Sequence, residues 1–192
     1  MNYNDIYKAG LELNSYPSEM LVSWVFRNKF SPGLSCLDIG CGYGNNLRFL
    51  LKYGFDAVGI DNSEFVINLI KNEFKDRVLV KNIISTNFND NSFDILIDRQ
   101  SIQHNSVNDL VTIYNECSRL LKDDGLFFCN FNLSKSDRAN KANIDEIELD
   151  KLIRGAFLIH EKNFHVFTTK NGIIQTKIIV YILKKYKGNK SV

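Results

Sequence analysis

A glycine-rich stretch, Leu37-Asp38-Ile39-Gly40-Cys41-Gly42-Tyr43-Gly44-Asn45, is the part of the sequence best suited to bind a ligand. It follows an apolar run of strand length, and glycines at the end of a strand let a ligand approach the backbone closely. A phosphate-binding P-loop requires a lysine at the end of the loop, and no lysine follows here. The dinucleotide-binding fingerprint requires a third glycine where Asn45 stands, so the match to that fingerprint is broken.

Two aspartates near this stretch indicate which ligand it would suit. Asp38 lies two residues before Gly40, where its negative charge would repel a pyrophosphate but attract an ammonium or a sulfonium group. S-adenosylmethionine (SAM) carries both of these cations and no phosphate. Asp61 lies 21 residues after Gly40, close to the offset of ~20 residues at which a carboxylate can accept ribose hydroxyls. Asp61 alone would serve NAD equally well, and its alternative role is to cap a helix.

Apolar runs of strand length alternate with amphipathic segments of helix length along most of the chain. Strands are predicted at residues 34–39, 57–60, 78–80 (with an extension toward 82), 93–97, 126–131, 158–169 and 173–183. Helices are predicted at 45–53, 63–74, 107–121 and 145–157, with Ser63 as an N-cap. The apolar face of the second helix is predicted to contain Phe65, Val66, Leu69 and Ile70. Lys122-Asp123-Asp124-Gly125 is predicted to end the third of these helices.

This alternation predicts an α/β fold, a single Rossmann-like domain with a mostly parallel seven-stranded sheet flanked by helices. Asn171-Gly172 between the last two strands predicts an antiparallel C-terminal hairpin. Residues 1–33 are too few for a second domain and are predicted to be an N-terminal cap segment. Residues 34–192 are predicted to be the core.

The run from Cys36 to about Phe131 resembles class I SAM-dependent methyltransferases, particularly the small bacterial type. Four motifs carry the resemblance in the right order: residues 37–44, residues 54–63 with their strand-ending acid, Ser92-Phe93-Asp94-Ile95-Leu96-Ile97-Asp98, and residues 116–125. The last motif departs from the common Pro-Gly-Gly, because it ends in Asp-Asp-Gly. The resemblance implies a methyltransferase that uses SAM as its cofactor.

The resemblance also implies roles for individual residues. The backbone around Gly40, Cys41 and Gly42 would face the methionine part of SAM, with Asp38 near its amino group and Asp61 on its ribose. Asn82 would bond the adenine amino group and the Ile83 amide an adenine ring nitrogen. Family members often have Asp at the position of Asn82. The predicted cofactor-binding residues are Asp38, Gly40, Cys41, Gly42, Asp61, Asn62, Asn82, Ile83 and Asp98.

The segment from Asp98 to His104 follows the fourth strand, where loops at the carboxyl edge of a sheet carry function. It resembles an Asp-Arg-Gly-Ser stretch of some small-molecule methyltransferases, with Gln100 in place of the glycine. His104 is the candidate catalytic residue, a general base whose imidazole titrates near neutral pH. The alternative is that His104 caps the next helix or packs beneath SAM. Asn130 and Asn132 after the fifth strand are further candidates for orienting an acceptor.

The uneven distribution of charge along the chain bears on the partner that the protein binds. Residues 1–150 carry 15 Lys or Arg against 21 Asp or Glu, whereas residues 151–192 carry nine against one, Glu161. This basic segment leaves an RNA-modifying methyltransferase as an alternative, although no RNA-binding module is recognisable. A basic edge strand and tail without function would look the same.

The remaining sequence features favour a small-molecule enzyme of the cytoplasm. The segments 1–33 and 133–143, which would have to close an acceptor pocket, are short. The four cysteines lack disulfide or Cys-x-x-Cys spacing, and no apolar run approaches the ~20 residues of a membrane span. The N-terminus does not look like a signal peptide. No metal site is expected, because His160 and His165 are five residues apart on a predicted strand and face opposite sides. A SAM-binding module without catalysis and, last, an NAD-dependent oxidoreductase remain as further alternatives.

Overall fold

The computed structural model describes residues 3–10, 15–133, 143–168 and 175–186. The chain divides into two compact units, residues 1–86 and 87–192. The helices are α1 (Tyr3–Lys8), α2 (Glu19–Asn28), α3 (Asn45–Tyr53), α4 (Glu64–Phe74), α5 (Val107–Leu120) and α6 (Glu146–Ala156). The strands are β1 (Ser35–Ile39), β2 (Asp56–Asp61), β3 (Val78–Val80), β4 (Phe93–Arg99), β5 (Leu121–Asn132), β6 (Phe157–Thr168) and β7 (Gln175–Lys185).

The first unit contains the first three strands, in the spatial order β3-β2-β1 and all parallel. Residue pairing runs from Ser35 opposite Asp56 to Ile39 opposite Ile60, so β1 and β2 reach their carboxyl ends together. Helix α4 begins where the sequence predicts, because the Ser63 hydroxyl accepts a hydrogen bond from the Val66 N–H at 3.3 Å. The glycine-rich loop after β1 and Asp61 at the end of β2 therefore lie at the same edge of this sheet.

The second unit contains the other four strands, in the order β4-β5-β7-β6. Strands β4 and β5 are parallel, whereas β7 is antiparallel to both of its neighbours. Helix α6 begins with a reciprocal capping box, in which the Asp145 side chain accepts from the Glu148 amide and the Glu148 side chain accepts from the Asp145 amide. The predicted mostly parallel, seven-stranded sheet with an antiparallel C-terminal pair is confirmed. The one-domain organisation with a cap over residues 1–33 stays a prediction.

Two local predictions differ from the structure, and a third cannot be compared with it. The turn predicted at residues 122–125 lies inside β5, where the pairing with β4 jumps from Leu121 to Leu126. Leu69, expected on the apolar face of α4, is exposed, and Val66, Ile67 and Ile70 make the buried face instead. The predicted hairpin turn at Asn171-Gly172 lies outside the described residues.

A membrane-spanning helix is not found among the described residues, since none of their helices combines the length and the apolar character that a span needs.

Candidate active site

In the first unit, the glycine-rich loop joins the carboxyl end of β1 to α3. Gly40, Gly42 and Gly44 all have positive φ, at 66°, 51° and 73°, a region that side chains disfavour. The Cys41 N–H donates to the Ile60 carbonyl at 2.9 Å, and the Gly44 N–H donates to the Cys41 carbonyl at 2.9 Å. These bonds bind the loop to the end of β2 and fold it into a tight turn before the helix.

Asp61, the last residue of β2, is joined directly to this loop. Its Oδ2 accepts the Gly42 N–H at 3.1 Å and the Tyr7 hydroxyl at 3.3 Å, while its Oδ1 accepts the Ser63 N–H at 2.8 Å. Burial raises the pKa of the Asp61 carboxyl, and these hydrogen bonds oppose the rise. The structure thus brings together the two parts of the site that the sequence placed 19 residues apart.

Tyr7, on α1, contacts Asp61, and the sequence assigned it no role. Its ring lies edge-on to the Tyr43 ring at 5.3 Å, and the Tyr43 hydroxyl donates to the Tyr7 carbonyl at 3.2 Å. An ionised carboxylate has about four acceptor positions, and the Tyr7 hydroxyl occupies one of those on Asp61. A ligand that needs both oxygens of Asp61 would therefore compete with Tyr7.

The other predicted cofactor residues of this unit lie at the strand ends or just after them. Asp38 is buried in β1, and burial together with the charges of Asp38 and Asp61 raises the pKa of the Cys41 thiol. Asn62 is exposed directly after β2. Asn82 is exposed after β3 and its Oδ1 accepts the Ile84 N–H at 3.0 Å, so the side chain closes its own turn, while Ile83 is buried.

The chemistry of these groups fits SAM better than a phosphate-bearing cofactor. No Lys or Arg occurs between Asp38 and Leu47. The next residue, Arg48, is held by the two oxygens of Glu73 at 2.6 and 2.7 Å. A cluster of buried carboxylates with backbone amides suits a cationic ligand that presents hydroxyls. The residues present therefore fit the predicted cofactor.

In the second unit, the fully buried Asp98 holds the loop that follows β4. Its Oδ1 accepts the Ser101 N–H at 2.8 Å and the Ile102 N–H at 3.0 Å, and the Cys129 thiol donates to Oδ2 at 3.5 Å. Burial raises the pKa of Asp98 to about 7, against the lowering effect of these donors. Asp98 thus fixes the loop, and its predicted contact with the cofactor stays a prediction. Gln100 has φ 60°, which explains why a glycine suits this position.

His104 ends a single 3₁₀ turn, Ile102–His104, in the same loop, and its side chain is half-buried. The neighbouring Gln103 is buried; its Oε1 accepts the Asn132 N–H at 2.7 Å, and its Nε2 lies 3.3 Å from Nε2 of His104. The loop is thereby joined to the end of β5. Sequence reasoning named His104 and Asn132 and missed Gln103, which lies between them.

Three further candidates from the sequence are Asn130, His160 and His165. Asn130 is buried in β5, whereas His160 and His165 are exposed on β6. Within the described ranges, no three His, Cys, Asp or Glu residues come together as metal ligands.

Residues 37–129 match the model of the methyltransferase domain family. Squalene methyltransferase 1 of Botryococcus braunii is 32% identical over 107 residues, which cover 52% of this chain and 28% of that protein. The chain thus spans less than a third of the length of this relative.

Two solved structures share the fold. A SAM-dependent methyltransferase of Methanosarcina mazei has a TM-score of 0.70 at 20% identity, over 85% of this chain and 98% of that one. The 1,6-didemethyltoxoflavin-N1-methyltransferase of Burkholderia thailandensis, whose structure contains S-adenosylhomocysteine, has a TM-score of 0.74 at 18% identity, over 96% of this chain and 86% of that one.

The fold is therefore the Rossmann-like fold of SAM-dependent methyltransferases. The match of residues 37–129 to the methyltransferase domain family confirms the resemblance that the four sequence motifs predicted.

Proposed function

We propose that this chain is a SAM-dependent methyltransferase that acts on a small-molecule acceptor. The observation that carries the proposal is the buried carboxylate of Asp61, bonded to the Gly42 amide at the edge where β1 and β2 end. A carboxylate at this position can accept the hydroxyls of a free ribose diol. The absence of Lys and Arg from residues 38–47 supports a cofactor without phosphate.

The cofactor site would use residues of the first unit. SAM, when bound, supplies a methyl group activated by a sulfonium, so the protein mainly has to align the acceptor, an effect worth up to ~7–11 kcal/mol. Asp61 would accept the ribose hydroxyls, with Asn62 beside it, and Asp38 would pair with the ammonium group. The backbone of residues 40–42 would approach the methionine part.

The remaining cofactor contacts and the acceptor contact belong to separate loops. Asn82 and Ile83 would hold the adenine, and Asp98 would support the loop after β4. His104 is proposed to act on the acceptor, either as a general base, worth ~10²–10⁴-fold for a hydroxyl, or as a hydrogen-bond donor.

Names of similar proteins support a small acceptor. Relatives are named for squalene, for sterols and for 2-methyl-6-phytyl-1,4-hydroquinone. The structurally similar enzyme of Burkholderia thailandensis was solved with 1,6-didemethyltoxoflavin. Because these proteins are named for small molecules, the proposed acceptor of this chain is a small metabolite.

The four cysteines, all free and buried, fit a reducing compartment such as the cytoplasm.

An RNA acceptor is the second candidate, and the contacts of the basic segment weigh against it. Lys162 pairs with Glu146 at 2.8 Å and with Asp150 at 2.7 Å, and Lys177 pairs with Glu146 at 3.0 Å. These charges are neutralised within the unit rather than offered to a phosphate backbone. We expect RNA to bind only weakly and to be released by moderate salt, and tight binding at moderate salt would favour the RNA acceptor.

Calorimetry tests the cofactor assignment without an acceptor. S-adenosylhomocysteine should bind at one site per chain, and NAD should give no comparable heat. Asp61→Asn and Asp61→Ala should weaken binding at least tenfold, because each hydrogen bond to a charged acceptor contributes about 1.5–3 kcal/mol. Asp56→Asn, an exposed acid at the other end of β2, is the matched control.

Two outcomes of this experiment would count against the proposal. Unchanged affinity in both Asp61 variants would mean that Asp61 only caps α4 through the Ser63 amide. Tighter binding of NAD than of S-adenosylhomocysteine would overturn the cofactor assignment. In a separate turnover assay, cofactor binding without methyl transfer to any metabolite of the source organism would favour a SAM-binding module without catalysis.

A further inference from the structure

The side-chain amide of Gln103 has its orientation fixed by the backbone. The side chain is 4% exposed, and one amide atom lies 2.7 Å from the Asn132 nitrogen at the end of β5. A backbone N–H can only donate, so the atom facing it must be the amide oxygen. The other amide atom of Gln103 is therefore the NH₂ group.

This orientation of the Gln103 amide determines whether the His104 nitrogen that faces it carries a proton. The NH₂ group of Gln103 lies 3.3 Å from Nε2 of His104. Because an NH₂ group donates and does not accept, Nε2 must accept with its lone pair. A neutral imidazole has one protonated and one unprotonated nitrogen, so the proton of neutral His104 lies on Nδ1. Free histidine in water prefers the opposite form, with the proton on Nε2.

We infer that Gln103 is a positioning residue, which holds His104 in its Nδ1-protonated form so that His104 serves as a hydrogen-bond donor rather than a general base. The function of that donor rests on the methyl transfer proposed above. Protonation of Nε2 would set two donors 3.3 Å apart. The turn itself is held in place, because Asp98 accepts the Ser101 and Ile102 amides.

The donor role restricts the chemical class of the acceptor. In the transfer, the electron pair of the sulfonium–methyl bond leaves with sulfur, and a lone pair of the acceptor forms the new bond to carbon. An acceptor that arrives as an anion, such as a thiolate, a carboxylate or an ionised phenol, has no proton to lose in this step. The Nδ1–H of His104 can donate to such an atom. An aliphatic alcohol would need a base that this histidine does not provide.

Nitrogen NMR of the full chain, labelled with ¹⁵N at histidine, tests the inference without cofactor or acceptor. The sequence has three histidines, and His104→Gln identifies the signals of His104 by their loss. At a pH where the ring is neutral, Nδ1 should show the shift of a protonated nitrogen and Nε2 that of an unprotonated one. Gln103→Glu should exchange the two shifts, because its carboxylate can accept both the Asn132 N–H and a proton on Nε2 of His104.

Gln100→Glu is the matched control, since it introduces the same charge three residues away in the same loop and should leave the His104 signals unchanged. Finding the proton of wild-type His104 on Nε2 would overturn the inference, as would a Gln103→Glu variant whose His104 shifts do not change. If Gln103→Glu does not fold, the wild-type spectrum still decides. Calorimetry with S-adenosylhomocysteine tests the proposed function separately, because the spectrum needs no cofactor.

Discussion

Replacing Asp98 by asparagine should change how the stability of the protein depends on pH. Burial raises the pKa of Asp98 to about 7 in the folded chain, whereas an exposed aspartate has a pKa of about 3.9. Between about pH 4 and 7, the Asp98 carboxyl is therefore protonated more in the folded state than in the unfolded state. The contribution of Asp98 to the unfolding free energy falls as the pH rises through this window and levels off above it.

The size of the effect follows from the pKa shift. A shift of about three pH units corresponds to about 4 kcal/mol of unfolding free energy over the whole titration. Between pH 5 and pH 8 the loss amounts to about 2.5 kcal/mol. The asparagine side chain of the Asp98→Asn variant keeps an oxygen that can accept the Ser101 and Ile102 amides, and it has no charge to bury. The variant should therefore lack this pH-dependent contribution. Its unfolding free energy should rise relative to that of the wild type as the pH rises.

Urea unfolding of both proteins from pH 5 to pH 8 measures the difference, and subtraction cancels the titration of shared groups. Asp123→Asn, which removes an exposed acid of the same unit, serves as control for the loss of one carboxylate. The reasoning is refuted if the difference between wild type and Asp98→Asn does not vary with pH. That result would mean that Asp98 stays ionised in its buried site and that its three donors fully offset the cost of burial.

The other predictions concern single contacts. Tyr7→Phe keeps the ring but removes the hydroxyl that donates to Asp61, the proposed ribose-binding carboxylate. S-adenosylhomocysteine should therefore bind about fivefold tighter in calorimetry, for about 1 kcal/mol. Weaker binding would show that Tyr7 helps to hold the cofactor. Gln100→Gly should raise the unfolding free energy by about 1 kcal/mol, because φ at this position is 60°. Gly44→Ala should lower the unfolding free energy by about 1–3 kcal/mol, since φ is 73° and an added Cβ would lie 2.5 Å from the Phe74 ring. Gly155→Ala, where the added Cβ meets nothing within 4 Å, should instead stabilise α6 by up to about 1 kcal/mol.

The sequence was sufficient to locate most of the elements and the glycine-rich loop after β1. The predicted helix at residues 45–53 has the bounds of α3, and Ser63 caps α4 as expected. These features depend on hydrophobic period, capping side chains and glycines, all of which act over a few residues. The order of Asp38, the glycine loop and Asp61 along the chain also predicted their meeting, because adjacent parallel strands end at the same edge.

Tertiary packing decided which partner each polar side chain found. The Tyr7 hydroxyl reaches Asp61 across 54 residues, and the Gln103 side chain reaches the Asn132 amide across 29. The sequence pattern showed polar residues at these positions but carries no information on the orientation of a side chain or on the burial of a carboxyl such as Asp98. A hydrogen bond depends on distances of a few tenths of an ångström and on desolvation, and both are set only when distant segments pack together.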